Sequence, residues 1–549
     1  MRQVDRQTVE NYGLPSLTLM ESAANACFEA LSRRFGDDLT RKRVLVLCGP
    51  GNNGGDGAAL ARILSNAGVH SDVVLFGLVT QTKGDACTNF EAIERLASFK
   101  AGSKSAPQPV SFVECDSVQV WEEIARPRRT YDIVVDALFG TGLVRPLQGI
   151  YLQVVQHLAL MRRARERAHE GKPLIFSVDL PSGLNADVPE LIGETIQADL
   201  TVTFTAPKPA NVLPPASFYC GELIVANIGS PEALIESVGP KLFVSDADDA
   251  RDWLESTRYT PDSYKTTHGH ALIIAGSKDY SGAAALCGNA AARAGAGLVT
   301  IATPASAQTS VAARSIPEVM TTALRETDRG AVSDEAIDHV SLLAGKATVI
   351  AVGPGLTASD ERTRTFVRLV VNRRTTPLVI DADGLNCLAP WPPELKGTSE
   401  HPIIITPHPG EMLRLLGSDD KATLRDRVSV AREFATSHNL IVVLKGSRTL
   451  IAAPDGRVFV NPTGNAGLGT GGAGDTLTGV ITGFLAQAYG SLKQNADALS
   501  ATRAALFVSS LAGDIAARKL GMRGMVASDV REHLPEAFCS LDPEGELPK

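Results

Sequence analysis

Apolar positions follow two spacings along the chain, and each spacing predicts a different kind of element. After a first predicted helix at residues 4–11, apolar side chains recur at helical spacing and predict an amphipathic helix with a buried stripe. These side chains are Leu17, Met20, Ala24, Phe28, Leu31 and Phe35. Short continuous apolar runs then predict strands at residues 43–48, 71–76, 131–137, 173–178, 200–204 and 222–226. Such runs are typical of strands covered on both faces, so we expect βαβ units in a mostly parallel sheet.

A second series of strand-like runs begins near His270. Its runs are HALIIAG, GLVTIATP, ATVIAVGPG, PLVIDADG, PIIITPHPGE and LIVVLKGS. A hairpin is predicted around Asp455 and Gly456, followed by a helix at residues 475–487. Between the two series, residues 237–268 show no periodic apolar run beyond a short helix around Trp253. The sequence therefore predicts two different α/β domains, at residues 1–237 and 238–549, rather than a duplicated one.

The composition is that of an ordinary globular protein. The hydrophobic fraction is 44% and the charged fraction 21%, which argues against a disordered, collagenous or coiled-coil protein. With 61 acidic and 53 basic side chains the net charge is −8, so no global field favours nucleic acid or an anionic membrane. No apolar run is long enough to span a bilayer, and the opening residues lack the apolar region of a signal peptide. We expect a cytoplasmic protein that binds neither nucleic acid nor membrane.

The cysteines and histidines form no metal or disulfide pattern. The 8 cysteines are scattered without a CxxC pair, and the 10 histidines form no HExxH motif. This suits reduced, buried thiols rather than a disulfide framework or a zinc site. We also expect a homo-oligomer, although no sequence pattern sets its symmetry.

The first candidate for ligand binding is the run GPGNNGGDG at residues 49–57, between a predicted strand and a helical pattern. Its glycines let backbone amides approach a ligand, and a helix amino end suits phosphate. The spacing is neither a Rossmann GxGxxG nor a Walker loop, so a turn that closes a βα unit is the structural alternative. Two more strand-end loops, DALFGTG at 136–142 and DLPSGL at 179–184, favour a site, because the carboxyl ends of parallel strands form one crevice.

These motifs, with LMESAA and the APKP at residues 206–209, carry a family resemblance. Residues 1–229 resemble the YjeF amino-terminal domain, the family of NAD(P)H-hydrate epimerases. The resemblance implies a Rossmann-like three-layer αβα fold and an enzyme that interconverts the R and S forms of hydrated NADH and NADPH (NADHX and NADPHX). One departure is Ala24, where the family usually has glycine; the ligand loops are intact.

The resemblance assigns the hydrated dinucleotide to two loops and one aspartate. The residues are Asn52, Asn53, Gly54, Gly55, Asp56, Gly140, Thr141, Gly142, Leu143, Val144, Arg145, Pro146 and Asp179. It also implies a potassium ion on Asn53, Asp136 and Ser182, and hard cations prefer such oxygen ligands. Epimerisation at carbon 6 of the ring needs reversible loss of the hydroxyl or ring opening, helped by a positioned acid or base. We expect Asp179 in that role, and a strand-end cap is its structural alternative.

The most informative stretch of the second half is NPTGNAGLGTGGAGDTLTG at residues 461–479. A glycine-rich backbone that leads into a helix with Asp475 at its start is how ribokinase-like folds build an anion hole beside a catalytic base. There Asp475 would take a proton from a substrate hydroxyl as that oxygen attacks a terminal phosphate. A plain helix N-cap is the structural alternative. Alone, this stretch indicates a small-molecule kinase.

Companion motifs narrow that interpretation. They are YSGAA at 280–284, AGAGLV at 294–299, GPGL at 353–356, DADGLN at 381–386, TPHPGE at 406–411 and KGSRT at 445–449. Together, over residues 264–534, they resemble the YjeF carboxy-terminal domain, the family of ADP-dependent NAD(P)H-hydrate dehydratases. The resemblance implies a ribokinase-like αβα domain that dehydrates the S form to NADH or NADPH, with Mg²⁺ as cofactor and with ADP as co-substrate giving AMP and phosphate.

The same resemblance implies the contacts of this second site. The hydrate would contact Ala283, Ala284, Gly355, His408 and Asp475. The nucleotide would contact Lys445, Gly446, Ser447, Arg448, Thr449 and Gly474. Lys445 would supply a mobile point charge for phosphate, and Asp381 and Asp383 would help to position the magnesium.

Two hypotheses of other classes stay open. One is a ribokinase-like kinase for a vitamin precursor fused to a nucleotide-binding scaffold domain, which a stable phosphorylated product would identify. The other is a first domain that only binds a ligand or partner, against which Asp179 and the complete GNNGGDG loop argue. The fusion itself favours repair, because an epimerase would supply a stereospecific dehydratase with the epimer that it cannot use.

Overall fold

A computed structural model describes residues 1–98, 110–125, 130–168 and 173–542 of the chain. The chain divides into two compact units, Met1–Pro240 and Lys241–Lys549. Each unit has its own sheet and its own apolar core. Among the described residues, no helix is both long and apolar enough to cross a bilayer. None of the eight cysteines, which all lie in the described residues, forms a disulfide; six are buried and two, Cys87 and Cys539, are half-buried.

The first unit alternates helices and strands. Its helices are α1 Arg2–Tyr12, α2 Ser16–Phe35, α3 Asn52–Asn66, α4 Gly84–Ser98, α5 Val118–Ile124, α6 Gly149–Ala168, α7 Pro209–Val212 and α8 Glu232–Ser237. Its strands are β1 Arg43–Cys48, β2 His70–Leu75, β3 Val110–Glu114, β4 Ile133–Ala137, β5 Leu174–Val178, β6 Leu200–Phe204 and β7 Glu222–Ala226. They form one parallel sheet in the order β3-β2-β1-β4-β5-β6-β7.

Both faces of this sheet are covered. Val44 and Val46 of β1 belong to the core under α2, α3 and α4, whereas Leu45 and Leu47 belong to the core under α5 and α6. This explains why β1 reads as a continuous apolar run rather than an alternating one. The order of the strands reverses between β1 and β4, and in doubly wound sheets ligands bind at such a switch point.

Two details differ from the sequence-based expectation. Strand β3 was not predicted, because it is an edge strand whose run VSFVE mixes polar residues with the 41% exposed Val113. The expected buried stripe of α2 was wrong at Leu17, which is 37% exposed. The buried face of α2 instead carries Leu19, Met20, Ala23, Ala24, Cys27, Ala30 and Leu31.

The second unit is larger. Its helices are α9 Ala247–Ser256, α10 Ser281–Arg293, α11 Ala305–Arg314, α12 Ile337–Ala344, α13 Glu361–Asn372, α14 Asp383–Leu388, α15 Pro409–Leu415, α16 Arg427–His438, α17 Ala473–Gln487, α18 Ala498–Leu520, α19 Ala527–Glu532 and α20 Leu534–Leu541. Its strands are β8 Leu242–Val244, β9 His270–Ile274, β10 Leu298–Pro304, β11 Met320–Leu324, β12 Val349–Val352, β13 Leu378–Ile380, β14 Ile403–Ile405, β15 Ile441–Leu444, β16 Leu450–Ala452 and β17 Val458–Val460.

The ten strands form one sheet in the order β11-β10-β9-β12-β13-β14-β15-β16-β17-β8. Its first seven strands pair in parallel, and the predicted hairpin β16-β17 is confirmed as an antiparallel extension. The three-residue strand β8 pairs with β17; β8 and the edge strand β11 are too short or too exposed to have been predicted. The predicted class, α/β with αβα layers in each half, is confirmed.

Close packing between α17 and α10 fixes the start of α17. A Cβ on Gly479 would lie 2.1 Å from the carbonyl oxygen of Cys287, and a Cβ on Gly483 would lie 2.7 Å from that of Ala291. Both glycines are fully buried on one face of α17, so the two helix backbones touch where no side chain fits. The amino end of α17, which carries Asp475, is thereby held over the carboxyl ends of the central strands.

We expect Gly479→Ala to destabilise the second unit by about 3 kcal/mol, since the added methyl group forces α17 away from α10. The control is Gly282→Ala on α10, where a Cβ meets nothing within 4 Å, and where alanine should be neutral or stabilising by up to about 1 kcal/mol. Calorimetric unfolding of the full chain measures both. Equal melting of Gly479→Ala and the parent chain would contradict the packing argument.

Candidate functional site

The first unit contains an open cavity of about 780 Å³ at the carboxyl ends of β1, β4 and β5. Helix α1 covers one side of it through Asp5 and Val9. The three loops that the sequence singled out, after β1, β4 and β5, all reach this cavity. The structure therefore brings together motifs that lie about 130 residues apart in the sequence, as expected from the rule that ligands bind at the switch point.

Some residues of the loop after β1 line the cavity, and others pack against neighbouring backbone. Asn52, Asn53 and Asp56 line the cavity. Gly54 and Gly55 do not: a Cβ on Gly54 would lie 1.7 Å from the carbonyl oxygen of Gly49, and one on Gly55 would lie 2.8 Å from the Cα of Ala86. Those two glycines let α3 start directly against its own loop and against α4. The structure gives both glycines a packing role, and a contact between their backbone and a ligand stays a prediction.

The loop after β4 behaves in the same way. Gly140, Thr141 and Gly142 line the cavity. The other four residues assigned to the ligand do not line it: Leu143 packs against the core under α6, Val144 and Arg145 are exposed, and Pro146 packs near Gly193. At Gly140 a Cβ would lie 3.0 Å from Oδ2 of Asp179 and 3.1 Å from Oδ1 of Asn53. The missing side chain of Gly140 thus keeps open the space between these two groups.

Asp179 directly follows β5 and has a left-handed backbone, with φ of 66°. Its backbone N–H donates to the carbonyl oxygen of Val202 at 2.7 Å, and the side chain is only 8% exposed. Its Oδ1 accepts hydrogen bonds from Lys208 Nζ at 2.6 Å and from Thr203 Oγ1 at 3.1 Å. A non-glycine residue held in this conformation at a cavity wall is a strained position of the kind found at functional sites.

Lys208 is a functional residue that the sequence analysis did not assign. It belongs to the quoted APKP motif and is only 5% exposed. Besides Asp179, its ammonium donates to Thr203 Oγ1 at 2.8 Å and to the carbonyl oxygen of Phe204 at 3.0 Å. A buried lysine is rare unless it is paired, but the sequence alone gave no sign that Lys208 would be buried.

Asp136 and Ser182 form a hydrogen-bonded cluster of oxygen atoms, the oxygen cluster, under the same loops. The fully buried carboxylate of Asp136 accepts from Ser177 Oγ at 2.9 Å, from Ser182 N at 2.8 Å and from Ser182 Oγ at 2.6 Å. Burial raises the pKa of Asp136, and these hydrogen bonds oppose that shift. Among the described residues no lysine or arginine pairs with Asp136, although such pairs do occur elsewhere in the unit. The side-chain amide nitrogen of Asn53 is also buried without a partner.

Three further aspartates line the cavity, Asp56, Asp5 and Asp85. Burial raises the pKa of Asp56 well above its usual range, and the nearby charges of Asp179 and Asp5 raise it further. Burial likewise raises the pKa of Asp5, against the pull of Lys208. Carboxyl groups with unlike environments therefore share one cavity, which is the arrangement that acid–base catalysis uses.

In the second unit, Asp475 lies in the first turn of α17 behind Gly472, whose φ is 86°. Burial raises the pKa of Asp475 to about 7, and the negative charge of Asp381 adds to that shift. Asp475 has no hydrogen-bond partner among the described residues, so its carboxyl group stays available. A carboxylate with a pKa near neutrality is suited to accept a proton.

Asp381, by contrast, is fully paired. Its Oδ1 accepts from Lys445 Nζ at 2.8 Å and its Oδ2 accepts from Thr478 Oγ1 at 2.7 Å. Burial would raise the pKa of Asp381, but Lys445 and the hydrogen bonds hold it below its usual range. Lys445 also lies 3.8 Å from Glu411, and it borders Gly474, where a Cβ would be 3.3 Å from its Nζ. Lys445 is thus held by two acidic side chains, and its expected contact with phosphate stays a prediction.

His408 begins α15 and caps it. Its Nδ1 accepts from the backbone N–H groups of Gly410 at 3.0 Å and of Glu411 at 3.4 Å. Burial, with the positive charges of Lys445 and Arg414, lowers the pKa of His408. Because Nδ1 accepts both hydrogen bonds, the proton of the ring lies on Nε2, and half of the side chain is exposed to solvent. Glu411, which sequence analysis left without a role, receives the backbone N–H of His408 at 2.8 Å.

The KGSRT loop is shaped by Arg427 of α16, another residue that the sequence analysis missed. The guanidinium of Arg427 donates to the carbonyl oxygens of Leu444 at 3.2 Å, Lys445 at 3.3 Å and Ser447 at 3.1 Å. Thr449 Oγ1 donates back to the carbonyl oxygen of Gly446 at 2.9 Å. No sequence motif marks Arg427, because its contacts form only when α16 packs beside the KGSRT loop in the folded chain.

Of the residues assigned to the hydrate, Ala283 and Gly355 lie together at the site, whereas Ala284 does not. Ala283 lies beside Gly355: a Cβ on Gly355 would be 3.1 Å from the Cβ of Ala283 and 2.9 Å from that of Tyr280. Ala284 is fully buried against Gly276 and does not face the site. Tyr280 is 58% exposed at this rim. The carboxyl ends of β9, β12, β13, β14 and β15 thus surround one polar site whose centre is Asp381 and Lys445.

Two family models match the chain, the YjeF-related protein N-terminus over residues 16–210 and the NAD(P)H-hydrate dehydratase over residues 271–536. The bifunctional NAD(P)H-hydrate repair enzyme of Moorella thermoacetica is 38% identical over 547 residues, which cover 100% of this chain and 97% of that protein. The enzyme of the same name from Thermofilum pendens is 35% identical over 546 residues, covering 100% and 96%.

Among solved structures, the ADP/ATP-dependent NAD(P)H-hydrate dehydratase of Bacillus subtilis, co-crystallised with ATP and Mg²⁺, is 29% identical to this chain. It matches 55% of this chain and 98% of its own length, with a TM-score of 0.46. The similarity to the repair enzymes, in contrast, runs through both units and over the full length. The chain belongs to the family of bifunctional NAD(P)H-hydrate repair enzymes.

Proposed function

We propose that this chain repairs hydrated NADH and NADPH, with the epimerase in residues 1–237 and the dehydratase in residues 238–549. The observation that carries the proposal is the pair of polar sites, one at the strand ends of each sheet, each with a buried aspartate paired to a lysine. A scaffold domain would need neither a strained Asp179 nor a buried Lys208 at the wall of an open cavity.

In the first unit, the hydrated ring would lie in the cavity between the loops after β1, β4 and β5. Asn52, Asn53, Thr141 and the backbone at Gly140 and Gly142 would hold the ligand. Asp179 would serve as acid–base group at carbon 6, since its Oδ2 faces the space beside Gly140 while its Oδ1 is held by Lys208. General acid–base catalysis by one such group contributes about 10²- to 10⁴-fold.

The residues expected to hold potassium fit that ion. Asp136 is a buried carboxylate without a cationic partner among the described residues, Ser182 Oγ lies beside it, and Asn53 Oδ1 lies beside Gly140 of the loop after β4. A bound potassium ion would compensate the charge of Asp136 and fix the loops after β4 and β5 against each other. The ligand-binding positions of Asp179 and Gly140 depend on those loops.

In the second unit, Asp475 would accept the proton of the hydrate hydroxyl as that oxygen takes the terminal phosphoryl group of ADP. The ring nitrogen lone pair then expels phosphate and leaves NADH or NADPH together with AMP. Lys445, Gly474 and the KGSRT loop would bind the nucleotide phosphates, and His408 and Ala283 would contact the hydrate. Coupling dehydration to phosphoryl transfer supplies the driving force that removal of water in water requires.

Asp381 and Asp383 fit a hydrated magnesium ion that arrives with the nucleotide better than an all-protein cage. No group of three or more His, Cys, Asp and Glu side chains is placed to hold a metal ion in the described part of the chain. Magnesium usually keeps several waters and bridges to phosphates, and it would neutralise charge on the transferring group. Asp383 is held in place by the backbone N–H of Thr357 at 2.9 Å and by Asn386 Nδ2 at 3.2 Å.

The deciding experiment is recovery of reduced-nicotinamide absorbance from a mixture of both NADHX epimers, with ADP or ATP and with potassium or sodium. Complete recovery is expected. Recovery that stops at the S fraction would leave a dehydratase beside an inactive first unit. A stable phosphorylated product, without recovery, would favour the kinase alternative.

We expect Asp475→Asn to lower the dehydration rate by at least about 100-fold, because the amide cannot accept the hydroxyl proton. Epimerisation by the same chain should stay unchanged and is the internal control. Loss of both activities in a variant that melts like the parent chain would contradict independent sites.

Dehydration should also depend on pH through Asp475. A base acts in its ionised form, and with a pKa of about 7 the ionised fraction of Asp475 rises through neutrality. We therefore expect kcat/KM for the S form to fall about tenfold for each unit of pH below 6 and to level off above 8. A flat profile between pH 5 and 8 would contradict Asp475 as the base.

We expect Ser182→Ala to raise the potassium concentration that half-activates epimerisation, by about tenfold, since one oxygen ligand is lost. Titration of epimerase activity with KCl at constant ionic strength measures this. The matched control is Ser217→Ala, because Ser217 is a buried serine of the same unit outside the oxygen cluster. An unchanged midpoint in Ser182→Ala would remove Ser182 from the potassium site.

A further inference from the structure

Asp56 has a position in the first cavity that ligand binding alone does not explain. Its half-buried carboxyl group lines the cavity. Among the described residues, no group donates a hydrogen bond to it and no cation pairs with it, whereas Asp179, Asp136 and Asp199 in the same unit are all paired or hydrogen-bonded. A carboxyl group that is half-buried and unpartnered is stable in its neutral form, and its proton is then available for donation.

Asp56 and Asp179 reach the same cavity from different strands of the sheet. Asp56 follows β1 and Asp179 follows β5, and β4 lies between these strands in the sheet. The loop after β4 presents Gly140 at that point, and a Cβ there would lie 3.0 Å from Asp179 Oδ2. Asp179 Oδ2 therefore faces the gap beside Gly140, and Asp56 lines the same cavity. The two groups are close enough for the charge of Asp179 to raise the pKa of Asp56.

Lys208 gives Asp179 and Asp56 different environments, because it pairs with Asp179 alone. Its ammonium has three hydrogens, and three acceptors surround it: Asp179 Oδ1 at 2.6 Å, Thr203 Oγ1 at 2.8 Å and the carbonyl oxygen of Phe204 at 3.0 Å. Every donor is used, so Lys208 has no hydrogen left for a ligand. It pairs with Asp179 through Oδ1 and leaves Oδ2 facing the gap. Asp56 has no such partner.

We propose that epimerisation uses Asp56 as the proton donor and Asp179 as the proton acceptor on opposite faces of the ring, and that Lys208 is a positioning residue that fixes Asp179 in its role. The proposal rests on the proposed epimerase function. It adds a second catalytic residue to a site for which only one acid–base group was expected. Pairs of carboxyl groups in unlike environments divide acid and base roles in the same way in other enzymes.

The step balances without an added reagent. Asp56 gives its proton to the hydroxyl oxygen on carbon 6, the carbon–oxygen bond breaks, and the ring nitrogen lone pair forms a double bond to carbon 6 as water leaves. A second water then attacks carbon 6 from the other face and gives its proton to Asp179, and the electron pair returns to the nitrogen. Asp56 ends as carboxylate and Asp179 as carboxylic acid, which is the state that the reverse epimerisation requires.

Asp56→Asn is the first test, measured as inversion of purified (R)-NADHX without nucleotide. We expect kcat to fall at least about 100-fold with KM changed less than about threefold, because the lost interaction is made in the transition state. The matched control is Asp37→Asn, the same chemical change at an exposed position of this unit. Calorimetric unfolding of each variant reports whether the first unit is folded, since dehydration by the second unit does not test it.

Water enriched in oxygen-18 tests the bond that breaks. Each inversion by the parent chain should place one solvent oxygen on carbon 6, and Asp56→Asn should lose inversion and label uptake together. Inversion without label uptake overturns the proposal, because the oxygen then never leaves carbon 6. Asp56→Asn with the parent kcat overturns it while leaving the epimerase function intact, whereas a parent chain that inverts nothing overturns both.

Lys208→Met and Lys208→Arg test the positioning role. Methionine keeps the length of the side chain without its charge, and arginine keeps the charge. We expect Lys208→Met to lower kcat at least about tenfold with little change of KM, and Lys208→Arg to retain more of the activity. A rise of KM alone, or equal losses in two variants that melt alike, would show that Lys208 acts only through structure or ligand binding.

Discussion

Each unit buries an aspartate against a lysine ammonium, Asp179 with Lys208 at 2.6 Å and Asp381 with Lys445 at 2.8 Å. An unpaired charge in these positions would be too costly, and removing one partner of such a pair typically costs about 3–5 kcal/mol. Both aspartates end a central parallel strand, so the ion pairs lie at the carboxyl edge of each sheet, where the ligand crevice forms. The polar sites are therefore built around these two pairs.

The pairs also determine what neighbouring carboxyl groups can do. Lys445 forms its ion pair with Asp381 rather than with Asp475. Burial and the negative charge of Asp381 therefore raise the pKa of Asp475 to about 7. Asp179 takes the charge of Lys208, and the pKa of Asp56 is raised by burial and by Asp179. In both sites one carboxylate is held by a lysine ammonium, while the pKa of a second, unpaired carboxyl group is raised. That difference is what proton transfer at neutral pH requires.

Glycine contributes to these sites mainly through packing. Gly54 and Gly55 bring α3 against its own loop, and Gly479 and Gly483 bring α17 against α10. In each case a helix that carries an acidic side chain, Asp56 or Asp475, is held closer than any larger residue would permit. The positions of α3 and α17 therefore depend on these glycines, which let neighbouring backbone pack directly against each helix. Gly140 acts differently, because the side chain that it lacks would fill the space between Asp179 and Asn53.

The sequence by itself determined the class of fold, most strands, the hairpin around Asp455 and the family, because continuous apolar runs and local glycine-rich motifs are properties of neighbouring residues. It also singled out Asp179 and Asp475, which follow a strand or begin a helix within such motifs. Only the tertiary structure decided the rest. The burial of Lys208, the clamp formed by Arg427 and the pairing of Lys445 with Asp381 join residues 29, 18 and 64 positions apart. The packing of Gly54, the isolation of Asp56 and the elevated pKa of Asp475 depend on three-dimensional neighbours, which no local pattern encodes.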